Sequence, residues 1–154
     1  MTSEEKIAKE LIKSQKTLAI AESCTGGLLS HRITNIPGSS QFFKLGIIVY
    51  ANEAKIKLLG IDKKIIDALG AVSARVAVLM AQNVKKLLHC DIGVGMTGIA
   101  GPSGGSVQKP VGLVYIALST KKKSVCQKFI FKGTRREIKT SAASKALSLL
   151  LKSL

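Results

Sequence analysis

Apolar residues fall into short periodic blocks along the chain, and the spacing within each block predicts an element. Ile7, Leu11 and Ile12 share one face of a helix over residues 4–14. Residues 17–21 form a short apolar run that reads as a buried strand. Gly26-Gly27 follows, then a second helical pattern to about residue 35, which Pro37-Gly38 stops. Residues 45–51 read as a second strand. Asn52 is placed to cap a helix ending near Gly60, and a shorter helix covers about 62–69. Ser73 caps a long helix whose apolar stripe is Val76, Leu79, Met80, Val84, Leu87 and Leu88. Residues 91–97 are a third strand. A loop over 98–110 follows, with glycines at 98, 101, 104 and 105 and prolines at 102 and 110. Residues 111–119 and 124–131 are strands joined by Lys121-Lys122-Lys123, a connection short enough to make them an antiparallel hairpin. A last helix runs over about 134–153.

Strands that alternate with helices predict an α/β fold with helices on both faces of one sheet, a three-layer sandwich. The hairpin makes that sheet mixed. The chain has no internal repeat and no low-complexity linker, so residues 1–154 are expected to form a single domain.

Composition narrows the classes of function. With 46% hydrophobic residues the chain can bury a core without disulfide or metal staples. No apolar run is long enough to cross a bilayer. The segment Met1-Thr2-Ser3-Glu4-Glu5-Lys6 lacks the basic-then-apolar pattern of a signal peptide, so the cytoplasm is the expected location. Three scattered cysteines, Cys24, Cys90 and Cys126, make neither a disulfide framework nor a zinc site, and Cys90 and Cys126 read as small buried apolar residues. The net charge of +15 raises the question of nucleic acid. The lysines are dispersed, however, and no run of aromatics interleaves with them as a stacking platform would require. A solvated basic surface that draws in small anionic substrates is the expectation, without a nucleic-acid or membrane partner.

Candidate chemistry centres on Ala21-Glu22-Ser23-Cys24-Thr25-Gly26-Gly27. A strand, a polar turn, two glycines and a helix recur where a fold presents a nucleophile beside free backbone N–H groups. Ser23 is the candidate nucleophile; a helix-capping serine is the commoner reading of the same pattern. His31 lies within a helix and His89 at the end of one, so neither is placed as its base. Lysine is the other known activator, because a desolvated amine loses its proton near neutral pH. Lys55, in Tyr50-Ala51-Asn52-Glu53-Ala54-Lys55 at a strand-to-helix junction, is the best placed of many basic residues. Cys24 is a rival nucleophile, whose pKa a helix N-terminus would lower. The stretch Thr97-Gly98-Ile99-Ala100-Gly101-Pro102-Ser103-Gly104-Gly105 matches neither the P-loop nor the dinucleotide fingerprint. It is either a structural turn or a wall of amides for a phosphate or carboxylate.

These motifs, with Pro37-Gly38-Ser39-Ser40, Gly70-Ala71-Val72-Ser73 and Lys109-Pro110-Val111-Gly112, resemble the C-terminal domain family of the competence/damage-inducible protein CinA in order and spacing, over about residues 5–150. Stand-alone members of that family include nicotinamide-nucleotide amidases of the PncC type. The resemblance implies a three-layer α/β sandwich that forms homo-oligomers, most simply a dimer, and that needs neither metal nor other cofactor. It also implies hydrolysis of nicotinamide mononucleotide to nicotinate mononucleotide and ammonia, with Ser23 as nucleophile, Lys55 as base and Tyr50 beside them. Glu22, Cys24, Thr25, Gly26, Gly27, Gly98, Ala100, Gly101, Gly104, Gly105 and Arg135 are then the candidates for holding substrate. A non-catalytic role in competence or DNA damage, through the basic surface, is the alternative. The sequence departs from the family at Gly133-Thr134-Arg135-Arg136-Glu137-Ile138-Lys139, where Thr134 stands for an aspartate and Lys139 for an arginine. Lysine keeps the charge but loses the bidentate fork.

Overall fold

The computed structural model describes residues 1–154. Helix α1 (Ser3–Ser14) begins in a capping box: Thr2 Oγ1 accepts from the Glu5 N–H, and the Glu5 carboxylate accepts from the Thr2 N–H. Strand β1 (Leu18–Glu22) leads through the 23–27 turn into α2 (Leu28–Thr34). A single 3-10 turn (Ser39–Gln41) precedes β2 (Phe43–Ile48). Then come α3 (Asn52–Leu59), α4 (Lys63–Leu69), capped by Asp62, and α5 (Ala74–Leu87), capped by Ser73. Strands β3 (Ile92–Gly98), β4 (Leu113–Ser119) and β5 (Ser124–Ile130) precede α6 (Arg135–Ser153), whose capping box joins Thr134 and Glu137.

The sheet order is β2-β1-β3-β4-β5. The first three strands are parallel, β4 runs antiparallel to them, and β5, antiparallel to β4, returns to their direction. This is the mixed sheet the hairpin predicts. Side chains that alternate along the strands feed two cores. Leu18 and Ile20 of β1 and Ile92, Val94 and Met96 of β3 pack with α1, α2 and α6 on one face. Ala19 and Ala21 pack on the other face with Val76, Met80 and Val84 of α5. A helix layer on each face gives the three layers. No helix is long and apolar enough to cross a membrane.

Two glycines set the depth of the α5 layer. A side-chain carbon on Gly93 or Gly95 would collide with the carbonyl oxygens of Ala81 and Ala77 respectively. Helix α5 therefore lies directly against the β3 backbone, an approach only glycine permits.

Four local expectations change. Strand β2 occupies Phe43–Ile48 rather than 45–51, because the chain leaves the ladder after Val49 and turns its next carbonyls toward Lys55. Ala51, not Asn52, takes the cap position of α3, and no side chain caps that helix. Leu87 and Leu88 are exposed, since α5 ends where the stripe would have continued. Cys90 is buried, but Cys126 on the edge strand is only half-buried.

Candidate active site

The C-terminal ends of β2, β1 and β3 lie side by side. The chain leaves β1 for β2 on one side and later crosses to β3 on the other. A crevice at such a switch point, outside the carboxyl ends of parallel strands, is where α/β folds bind ligands. Ser23 follows β1 directly, Lys55 sits one turn into the helix after β2, and the 98–110 loop follows β3.

Lys55 is the unusual residue. Its side chain is 1% exposed and has no acidic partner. The ammonium is 2.8 Å from the Val49 carbonyl oxygen, 3.0 Å from that of Tyr50 and 3.0 Å from Ser23 Oγ. Burial without a counter-charge pushes the Lys55 pKa below the ordinary lysine value. The two carbonyls can only accept, so they hold two N–H bonds of either protonation state. In the neutral amine this leaves the lone pair on the side where the serine hydroxyl lies. With its full set of protons Lys55 Nζ donates to Ser23 Oγ, and loss of one proton would let the same contact run from the hydroxyl to the amine.

The turn that carries Ser23 is fixed from beneath by Glu22. Its carboxylate is fully buried and accepts four hydrogen bonds: Thr25 Oγ1 (2.7 Å), the Leu29 N–H (2.9 Å), the Ser30 N–H (3.0 Å) and Ser30 Oγ (2.7 Å). It thus occupies the place of a cap for α2, whose own N-cap residue, Gly27, has no side chain to offer. Gly26 and Gly27 have φ of +60° and +96°, the left-handed region that favours glycine. With the turn so folded, the N–H groups of Ser23, Cys24, Thr25 and Gly27 donate to no protein acceptor. They are unpaired backbone donors within the same turn as Ser23.

Tyr50 turns its phenol away from the amine to which its carbonyl is bound. Its hydroxyl accepts from Arg135 Nη2 (3.0 Å), while Arg135 Nη1 donates to the Gly101 carbonyl oxygen (2.7 Å). Arg135, at the start of α6, therefore ties the loop after β3 to the segment after β2. In the loop, a side chain on Gly98 would meet the Leu113 carbonyl, and one on Gly101 or Gly105 would run into Val111. The glycines accommodate the close return of the chain toward β4. Gly104 has φ +88° and faces open space apart from Ile99. The amides of Ala100 and Gly101, both buried residues, donate to no protein acceptor. No three His, Cys, Asp or Glu side chains gather anywhere in the fold as metal ligands would.

The sequence model of the CinA C-terminal domain matches residues 1–154. The chain belongs to the CinA C-terminal domain family. It is 52% identical over 138 residues to a "Putative competence-damage inducible protein" of Moorella thermoacetica, covering 90% of this chain and 33% of that protein. To a "CinA-like protein" of Syntrophus aciditrophicus it is 46% identical over 150 residues, covering 97% and 36%. The chain thus spans about a third of the length of these curated relatives. Among solved structures it is similar to the competence or damage-inducible protein from Enterobacter asburiae (TM-score 0.94, 28% identity, 98% of this chain and 95% of that one). The competence/damage inducible protein CihA from Agrobacterium tumefaciens is also similar (TM-score 0.91, 34% identity, 99% and 96%).

In this CinA domain the candidates named from sequence divide into groups. Ser23, Lys55, Glu22, Thr25, Gly26 and Gly27 lie at one strand end, and Ala100 and Gly101 reach the same edge through Arg135. Cys24 is adjacent but 5% exposed, and burial raises its thiol to about 11, opposite to the lowering expected of a helix N-terminus. Its thiolate form is disfavoured. What sequence could not supply is the Val49 carbonyl, since no residue type marks a backbone oxygen that will orient an amine. Lys139 is placed by α6 over the Ser23 turn, with Nζ 3.6 Å from where a Gly26 side chain would begin.

Proposed function

We propose that this CinA domain is a nicotinamide-nucleotide amidohydrolase working through Ser23 and Lys55. The observation that supports this most directly is the buried, uncompensated Lys55 amine 3.0 Å from Ser23 Oγ. A folded protein keeps such an amine at a cost in desolvation, and buried groups with shifted pKa in a crevice mark catalytic sites. A non-catalytic role through basic surface would make no use of it.

In the reaction, neutral Lys55 takes the Ser23 proton as Oγ forms a bond to the carboxamide carbon. The carbonyl oxygen becomes an oxyanion and is received by the free N–H groups of the 23–27 turn. The tetrahedral intermediate collapses by breaking the C–N bond, Lys55 returns its proton to the departing nitrogen, and ammonia leaves an acyl-serine. Lys55 then takes a proton from water as the hydroxyl adds to the ester carbon. Collapse of the second intermediate releases the carboxylate and restores Ser23 with a proton from Lys55. Tyr50 acts through its carbonyl, which holds the amine in place, and Glu22 acts by holding the turn.

Ammonia release from nicotinamide mononucleotide, measured for wild type, Ser23→Ala and Lys55→Ala, tests this reading. Release by wild type and its loss in both variants is the expected result. A wild type that releases none across pH and salt sinks it, and full activity in Ser23→Ala reassigns the nucleophile.

A further inference from the structure

At the end of the sheet opposite to Ser23, beyond the amino ends of β1 and β3, lies a cavity of about 700 Å³. The sheet makes its floor. Antiparallel pairing sets Leu118 against Val125 and Ile116 against Gln127, so these four side chains share one face, and Ile92 of β3 joins them. Two residues beyond Gln127 on that face, Phe129 lies under α6, with Lys145 Nζ 5.1 Å from its ring. The helix does not reach the hairpin end of β5, where Val125 is 40% exposed. The last turns of α6 stand beside the gap instead, and their Leu149 and Leu154 form its wall. The rim is basic. Lys16, Lys121, Lys122, Lys123 and Lys152 line it, against one acidic side chain, Asp91. That carboxylate is already engaged: Oδ2 accepts from the Thr17 N–H (2.9 Å) and Thr17 Oγ1 (3.0 Å), and Oδ1 lies 3.9 Å from Lys121 Nζ. Lys16, Lys122, Lys123 and Lys152 form no ion pair. The turn that carries three of the lysines is held in place. The Thr120 N–H donates to the Lys123 carbonyl at 2.9 Å, and Lys85 Nζ donates to the Thr120 carbonyl at 3.0 Å. Like charges fixed near one another repel, and an anion among them relieves the repulsion.

We infer that this corner of the fold binds a small amphipathic anion, with an aliphatic body on the floor of Ile92, Leu118 and Val125 and one carboxylate among the lysines. The apolar lining is wholly aliphatic, which matches an alkyl chain and offers no platform for stacking a base. The volume falls within the range of small-molecule sites. Enclosure by the sheet, the hairpin turn and the end of α6 suits one small molecule, where a membrane or a folded partner would need a flatter face. The site lies at the far end of the strands from Ser23 and does not rest on the amidase reading.

The test titrates the protein with decanoate, below its micelle concentration, and follows the methyl resonances of Ile92, Ile116, Leu118 and Val125. Decanol, without the charge, and acetate, without the chain, are the controls. Saturable shifts at these methyls with decanoate are expected, with decanol binding about fivefold more weakly and acetate giving none. Two variants remove one half of the site each. Lys121→Ser/Lys122→Ser/Lys123→Ser takes away the charge of the turn, and Val125→Asp sets a carboxylate on the floor. Each is expected to weaken decanoate binding by about fivefold or more. Dispersed methyl spectra without ligand show that a variant is folded, and where one variant is not, the other decides. The absence of saturable shifts overturns the site. Equal binding of decanoate and decanol, unchanged in the triple lysine variant, also overturns it, since the corner is then an apolar patch with no place for an anion. Binding to vesicles of phosphatidylglycerol without binding of monomeric decanoate overturns it in favour of a membrane-facing surface.

Discussion

The turn after β1 and the loop after β3 are both glycine-rich, both follow a parallel strand and both open on the same edge of the sheet. They differ in what lies underneath. Beneath the first are a buried carboxylate with four donors and a buried amine with two carbonyls and a serine. Beneath the second is close chain packing against Val111 and Leu113. Glycine content alone therefore does not distinguish a reactive turn from a tight one. Buried charge does, because burial of an ionisable group is costly unless the surroundings are arranged for it.

The sharpest way to break that contrast is at the serine and the amine. Ser23→Ala or Lys55→Ala is expected to reduce kcat/KM for the amide by about a thousandfold or more, read as ammonia release. An alanine in the second loop away from Gly101, at Ser103, is expected to change it by less than about threefold. The pH profile carries the same distinction. Only neutral Lys55 can accept the serine proton, so activity is expected to rise with pH and level off at a value below the ordinary lysine pKa of about 10.4. The stability linkage has a definite sign. The folded state binds fewer protons than the unfolded one between the lowered Lys55 pKa and the ordinary value, so this residue makes stability rise with pH across that window. Below the window the folded state bears the whole cost of burying the charge. Lys55→Met is expected to remove the slope, which denaturation midpoints collected from neutral pH to pH ~10 would show.

At the carboxylate the effect moves from rate to stability. Glu22→Ala strands the Leu29 and Ser30 N–H groups and the Thr25 hydroxyl, and is expected to cost about 2–4 kcal/mol in urea unfolding. Gly101→Ala meets Val111 at a left-handed φ and is expected to cost about 1–3 kcal/mol, with most of the chemistry kept. Cys24→Ala is expected to be the mildest, about 1 kcal/mol and less than about threefold in rate, since its buried thiol is raised to about 11. A large rate loss there would turn the contrast between Ser23 and Cys24 upside down.

Much of this architecture was legible in the residue pattern. Ser73 announces its helix, the Lys121-Lys122-Lys123 connection specifies the hairpin, and the alternation of elements gives the layers. Ser23 could be read as a candidate nucleophile on a turn, though a capping serine is the commoner reading of that pattern, and Lys55 stands out among many lysines more by family resemblance than by its neighbours. Three things could not be read. The end of β2 is set by where two carbonyls must point, which side-chain periodicity does not record. The role of Glu22 as a surrogate cap depends on contacts seven and eight residues away. The pairing of Arg135 with Gly101 and Tyr50 spans 34 and 85 residues, beyond any local pattern.

The bare face of β3 has a dynamic consequence. With Gly93 and Gly95 against the carbonyls of Ala77 and Ala81, strand and helix touch backbone to backbone, with no side chain between them to rearrange. Amide protons along β3 and the middle of α5 should therefore exchange with solvent deuterium only through global opening, while those of the Ser23 turn exchange through small local fluctuations. The domain would then work as a slow frame behind a fast surface, so that the turn can admit and release a ligand many times over within one opening of the sheet that carries it.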